Sequence, residues 1–184
     1  MTNRTTIPTE DVLRAREKLV LDHFHDEVAH AWDKVLSTFP HPHYELIAML
    51  KVHDGEREVR DYFIETRRAF PDQDHEIISI RHSADAVIVE FWLTGTHKGP
   101  LGRIPPTGGR HRTRMTAFFI FDAQERLICE RVYFDSLTML KQVLGGINLK
   151  NPRHWPRALQ ALRGLLTLSN APDPRLVNTP KFDL

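Results

Sequence analysis

Gly95-Thr96-His97-Lys98-Gly99-Pro100-Leu101-Gly102-Arg103-Ile104-Pro105-Pro106-Thr107-Gly108 holds four glycines and three prolines between two long strand-like runs. The run before it, 86–94, sets Val87, Val89, Phe91 and Leu93 on one face and Ile88, Glu90, Trp92 and Thr94 on the other. One face is wholly apolar and the other mixed, as in an antiparallel sheet between two different environments. The run after it, 110–121, is rich in Phe and Met, and a third, 126–135, follows the turn Asp122-Ala123-Gln124-Glu125. Strands joined by a loop too elaborate for a tight hairpin suggest a rim built for a task. The competing reading is a merely long loop.

If that turn closes as a four-residue loop, Phe121 lies opposite Arg126, Arg114 opposite Tyr133 and Arg112 opposite Asp135. Opposed residues share a face, so these four side chains form one polar group at the far end of the hairpin. A one-residue slip changes which side chains share that face.

Toward the N-terminus, Thr9 stands where a helix cap belongs, with Glu10 and Asp11 in the first turn. Leu13, Val20, Phe24, Val28, Ala31 and Val35 recur at helical steps, predicting one long helix that ends near Phe39-Pro40. Glu27 falls at the edge of that apolar stripe, with His23 four residues before it and His30 three after. A carboxylate there must be paired, reach water or line a cavity. His41-Pro42-His43-Tyr44 precedes a short apolar run at 46–52, and Asp54-Gly55 signals a turn. A second helix is predicted over 56–69 with Val59 and Phe63 buried, then a strand over 75–81.

Beyond the strands, 136–144 reads as a short helix ending at Gly145-Gly146. Pro156 opens an amphipathic tail helix with Ala158, Leu159, Leu162, Leu165 and Leu166 on one side, expected to cover the domain or a partner subunit. The chain divides as 1–146, one domain, and 147–184, a C-terminal helical extension packed on that domain or on a partner subunit.

The 184 residues suffice for one domain with a proper core. Lys plus Arg total 25 and Asp plus Glu 24, a net charge of +1 that gives no argument for nucleic acid or an acidic membrane surface. Eleven histidines make pH-sensitive behaviour possible. The one cysteine, Cys129, rules out an intramolecular disulfide and fits a reducing compartment. No apolar run approaches membrane-spanning length, and the first nine residues lack a secretory core, so a cytoplasmic protein is expected. His23 and His25 point to different sides of a helix, and no Cys/His spacing matches a zinc site. No phosphate loop, dinucleotide fingerprint or nucleophile elbow is present.

Long helix, short helix, then antiparallel strands ending in an acidic residue: this order resembles the cone-shaped α+β fold of the nuclear transport factor two-like (cystatin-like) superfamily. Gly95-Thr96-His97-x-Gly99, Pro105-Pro106-Thr107-Gly108 and Cys129-Glu130-Arg131-Val132-Tyr133-Phe134-Asp135, with Gln142 downstream, are similar to the SnoaL-like polyketide cyclase and ester cyclase group over about 12–144. The resemblance implies a curved sheet wrapped around helices, with an apolar cavity between them. It also implies an intramolecular aldol closure on aromatic polyketide esters without metal or redox cofactor, and pairing into a homodimer through the outer sheet face. The proposed general acid/base of that group is an aspartate on the last strand, which Asp135 matches. Related branches isomerise, dehydrate or only bind ligands.

A carboxylate in an apolar pocket can move both protons of such a reaction if desolvation raises its pKa. Asp135, beside Tyr133 and Phe134, is the expected base, with His97, Arg112 and Arg114 as candidates to stabilise an enolate. A tight Arg112–Asp135 pair would instead make the carboxylate structural, and His97 could serve only to fix the loop. Glu27, His23, Tyr44, Trp92 and Tyr133 complete the expected binding residues, though aromatics are more often plain core. The sequence thus predicts a cofactor-independent acid/base enzyme for an apolar carbonyl compound, of the cyclase, isomerase or lyase kind. The alternative is a non-catalytic domain that binds a hydrophobic small molecule or a protein partner.

Overall fold

A computed structural model describes residues 6–167 and 171–177. The first helix, α1 (Glu10–Val28), starts after Thr9, whose side chain makes no capping bond. It stops well short of Phe39. His30 takes a left-handed conformation at φ 57°, and a separate short helix, α2 (Trp32–Ser37), follows. The break leaves Val28 exposed, while Val20 and Phe24 stay on the buried side. Arg16 is 2% exposed, lies 4.8 Å over the Phe121 ring and donates from Nε to Glu125 at 2.7 Å, tying α1 to a hairpin tip.

The apolar run at 46–52 is divided. Strand β1 (His43–Leu46) leads through a one-turn 3-10 segment, Ile47–Met49, into β2 (Lys51–Asp54), with Leu50 left-handed at φ 54°. Helix α3 (Gly55–Ala69) follows with Val59 and Phe63 inward. Strands β3 (Asp74–His82), β4 (Ala86–Thr96), β5 (Arg110–Phe121) and β6 (Leu127–Phe134) then form a meander. Six strands make one open sheet in the order β2-β1-β6-β5-β4-β3. The sheet is mixed rather than wholly antiparallel, because β1 runs parallel to β6. A parallel neighbour needs a long crossover, and here most of the domain intervenes between the two strands.

The inner face carries Val87, Val89, Phe91, Met115, Ala117, Phe119 and Val132, packed against Val20, Phe24 and Phe63 from the helices. The β5–β6 register places Tyr133 opposite Thr116 and Phe134 opposite Met115, two residues from the expected pairing. One residue of the offset arises at the turn, where Phe121 pairs with Leu127 instead of Arg126, and the other at a bulge between Ile120 and Phe121. A shift of two keeps every side chain on its expected face, so Arg112, Arg114 and Tyr133 do share one, and it is the outer one.

The glycine-proline segment closes on itself: Gly108 N–H donates to the His97 carbonyl and His97 N–H to the Gly109 carbonyl, both at 2.9 Å. Its near limb lies on the end of α3, where Lys98 and Gly99 both donate to the Ala69 carbonyl. Helix α4 (Ser136–Leu144) anchors the far limb through the Thr107 hydroxyl, which donates to the Val143 carbonyl. In the tail, α5 (Trp155–Leu165) rests on the loop, and α6 (Pro174–Val177) on β2, where Arg175 reaches the Val52 carbonyl at 2.7 Å. The remainder of the expected extension, 168–170 and 178–184, lies outside the described residues.

A Cβ at Gly99 would sit 2.0 Å from the Arg68 carbonyl oxygen, whereas one at Gly102 would meet open space. Gly99→Ala should therefore cost roughly 2 kcal/mol or more, against about 1 kcal/mol for the left-handed Gly102→Ala. Urea melts of the two variants check this ordering.

Candidate active site

Four buried polar side chains, His23, Glu27, Tyr44 and Glu130, gather at one place. Glu130 enters the inner face of β6 between Phe119 on β5 and Tyr44 on β1. From α1, His23 and Glu27 descend one turn apart, and His75 arrives from β3. His23, Glu27, Tyr44 and Glu130 are 1%, 8%, 1% and 6% exposed. The His23 Nε2 atom lies 2.8 Å from the Tyr44 hydroxyl, 3.3 Å from Glu130 and 3.6 Å from Glu27. His75 Nε2 stands 3.4 Å from the other Glu27 oxygen. Arg67, on α3, spans the Glu27 and Gln73 carbonyls and so fixes the end of α1. Phe39 and Phe119 meet the His23 ring edge-on at 5.7 and 5.5 Å.

The proton arrangement follows from the partners. The Thr38 hydroxyl donates to the Val35 carbonyl at 2.6 Å, so its oxygen can only accept from His23 Nδ1, 3.1 Å away. Nδ1 therefore carries a hydrogen, and Nε2 is the atom that titrates. Burial opposes charge on His23, but the hydrogen bonds and charges of Glu130 and Glu27 outweigh it and raise its pKa to about 9. Burial also pushes the two carboxyl groups up; for Glu27 the surrounding His23, His75 and Arg67 reverse this and hold it low. Glu130 stays raised, because burial and the neighbouring Glu27 charge exceed what His23 returns. Burial together with Glu130 and Glu27 keeps the Tyr44 phenol well above its ordinary value. The cluster thus separates two carboxyl groups into a firm anion and one that ionises late, with a cationic and a neutral donor beside them.

The expected residues are divided between this cluster and the surface. His23, Glu27 and Tyr44 meet inside. Asp135 is not in a dry hollow; it is exposed, N-caps α4, and accepts from the Thr138 amide at 3.0 Å and from its hydroxyl. Those bonds hold its carboxyl below the usual range, the opposite of a base tuned toward neutrality. His97 is fully buried in the loop, with Thr107 Oγ1 at 3.0 Å from Nδ1, and makes the loop-fixing contact. Trp92 is no cavity wall: on the outer face it carries Arg112 at 4.2 Å and Arg114 at 5.0 Å over its ring. Arg112 pairs with Glu76 rather than with Asp135, and Arg114 with Glu90 at 2.6 Å. Tyr133 is exposed on the same face. Glu130, His75, Arg67 and Thr38 were not anticipated. The available signal for Glu130 was its alternation with Val132 and Phe134, which puts an acid on the apolar side of β6.

Among the described residues, two groups bring metal-ligand atoms within 4.8 Å of one another: His23, Glu27 and Glu130 inside, and His43, Glu45 and Cys129 on the outer side of β1 and β6. In the second, Glu45 is engaged by Arg131, and His43 by Asp54 at 2.7 Å. Burial raises the Cys129 thiol strongly, so it stays protonated. A cleft of about 380 Å³ opens beside Asp72, His111 and Gln142, and another of about 490 Å³ lies between the proline loop and α5. Neither is lined by His23, Glu27, Tyr44 or Glu130.

This architecture, helices laid into a curved open sheet, recurs among solved structures. One is a protein from Jannaschia sp. CCS1 named as a SnoaL-like polyketide cyclase, 18% identical, covering 77% of this chain and 98% of its own, with a TM-score of 0.65. Another is a protein with a ketosteroid isomerase-like fold from Catenulispora acidiphila DSM 44928, at 15% identity, 68% and 91% coverage and a TM-score of 0.57. The epoxide hydrolase/cyclase-like enzyme SalBIII, named for pyran ring formation in salinomycin, matches at 16% identity, 68% and 94% coverage and a TM-score of 0.57. Among curated proteins, none matches the sequence. Residues 19–143 match the SnoaL-like polyketide cyclase family, and the chain belongs to it. None of the helices among the described residues is long and apolar enough to cross a membrane.

The raised His23 pKa sets a pH window. Its pairing stabilises the fold fully below the ordinary value of 6.5, and that contribution disappears as pH climbs through about 9. Glu130→Gln removes a principal support of the imidazolium, so in the variant the contribution should be smaller below pH 6.5 and the loss should be complete at a lower pH. Chemical-denaturation stabilities of both proteins across the window check it; coincident pH profiles would show that Glu130 does not support the charge.

Proposed function

We propose that the protein is a cyclase-like acid/base enzyme for an apolar carbonyl compound, working at the His23–Glu27–Tyr44–Glu130 cluster. The observation that carries this reading is the split between Glu27, held low, and Glu130, held high, around one imidazole nitrogen. Glu130 takes a proton from the carbon next to a carbonyl. The electron pair moves onto the carbonyl oxygen, where the His23 Nε2 proton and the Tyr44 hydroxyl stabilise the enolate. The enolate carbon bonds to a second carbonyl carbon of the same molecule, and the new alkoxide recovers the proton from Glu130. Isomerisation uses the same groups without the new carbon–carbon bond. Glu27 stays ionised and keeps His23 charged. The substrate enters by displacing aromatic side chains around His23. The family resemblance supports a homodimer, and the single cysteine supports a reducing, cytoplasmic setting.

A second reading has its own observation. Phe24, Phe39, Phe63 and Phe119 already occupy the space under the sheet, as in a domain whose interior is its own core. Turnover of an aromatic polyketide ester separates the two. In the enzyme, Glu130→Gln and Tyr44→Phe should each lower kcat by roughly a hundredfold or more, and Asp135→Asn should leave it nearly unchanged. Equal turnover in the native protein and Glu130→Gln, or a loss confined to Asp135→Asn, would overturn the assignment to this cluster.

A further inference from the structure

Helix α5 is mounted the wrong way round for a packing element. The sequence predicts that its leucine side covers the domain or a partner subunit. Against the domain it is the small residues that face inward: Ala161 is 2% exposed, and a Cβ on Gly164 would come within 2.8 to 2.9 Å of the Arg103–Ile104 backbone. Trp155, Leu159, Leu162 and Leu166 are 60%, 49%, 53% and 79% exposed. At 100° per residue these four fall within an arc of about 60°. The Trp155 indole donates to the Leu149 carbonyl at 2.9 Å, which fixes the ring next to Leu149, itself 66% exposed. A scattered exposed leucine needs no explanation, but a row of five large apolar side chains does.

Charge indicates what covers the row. Between Asp135 and Asp173 the chain has no Asp or Glu, yet it holds Lys141, Lys150, Arg153, Arg157 and Arg163, all exposed. The net charge of +1 conceals this separation, since the remainder of the chain is net acidic. A second copy offering the same face would bring two such cationic sets together, which disfavours symmetric self-pairing. A surface that is anionic outside and apolar beneath suits both features.

We infer that the outer face of α5 docks on an anionic phospholipid surface. The helix lies in the plane of the interface. Trp155, Leu159, Leu162 and Leu166 enter the headgroup–acyl boundary, and Lys150 and Arg153, just before the helix, with Arg163, beside the apolar row, meet lipid phosphates. This departs from the expectation of no membrane partner, which rested on total charge and on the lack of a membrane-spanning apolar run, neither of which bears on an interfacial helix, and it is independent of the chemistry proposed for the inner cluster.

Co-sedimentation of the full chain with vesicles tests it. Binding is expected to vesicles of phosphatidylcholine mixed with phosphatidylglycerol, not to phosphatidylcholine alone, and to weaken with salt. The double variant Leu159→Glu/Leu162→Glu should lose roughly tenfold or more in vesicle affinity. The double variant Arg153→Gln/Arg163→Gln changes only exposed side chains and should lose roughly tenfold with a flatter salt dependence. No binding to the anionic vesicles, or unchanged binding in either variant, overturns the inference. Light scattering in which the leucine variant splits a native dimer that ignores vesicles also overturns it, and makes a second copy the occupant.

Discussion

One imidazole ring, held between two carboxylates inside an aromatic core, is the constraint on which the interior depends. An isolated ion there would be too costly to keep. Each group is tolerated because the others are present: Glu27 and Glu130 hold the proton on His23, and His23 limits how far burial can neutralise the acids. The supporting parts come from α1, β1, β3, β6 and the end of α2, so the charges are assembled only when the sheet and helices meet. Removing a single partner would leave an unbalanced buried charge, which is why such a cluster restricts the sequence more than an apolar patch of the same size.

The two faces of the sheet divide the work. Inside, aromatic rings surround the titratable cluster. Outside, Glu76, Arg112, Trp92, Arg114 and Glu90 form a row of ion pairs and cation–π contacts that keep the broad face polar. The glycine-proline loop connects this body to α4 and the tail through backbone approaches that no side chain at Gly99 or Gly109 would permit. Its histidine acts as a buried strut, leaving the chemistry to the interior.

Much of the fold was legible because it follows from local periodicity. The 110–121 strand and the 136–144 helix were read with their observed limits, and the family followed from motifs spread along the chain. The long first helix was over-extended, because its apolar spacing continues through the break at His30 and a left-handed residue leaves little trace in such a pattern. The parallel β1–β6 pair was invisible, since nothing local records a contact between residues so far apart. The site was half legible. His23, Glu27 and Tyr44 were named, but Asp135 drew attention away from Glu130, five positions earlier in the same motif. Face parity distinguishes them: Glu130 points inward, whereas Asp135 falls past the strand and caps a helix. Which side of the sheet is the interior is a tertiary fact. The same limit left open whether the tail helix's leucines cover the domain or a partner; its contact with the loop is made by Ala161 and Gly164.

The central claim is that His23 keeps its proton because two buried carboxyl groups face its Nε2 atom. Titration of the His23 ring by NMR in the native protein addresses it directly. The account predicts a midpoint near 9, far above the ordinary value of 6.5. A midpoint at or below the ordinary value would contradict it, since burial would then outweigh the carboxylates and the cluster would be a neutral hydrogen-bonded core.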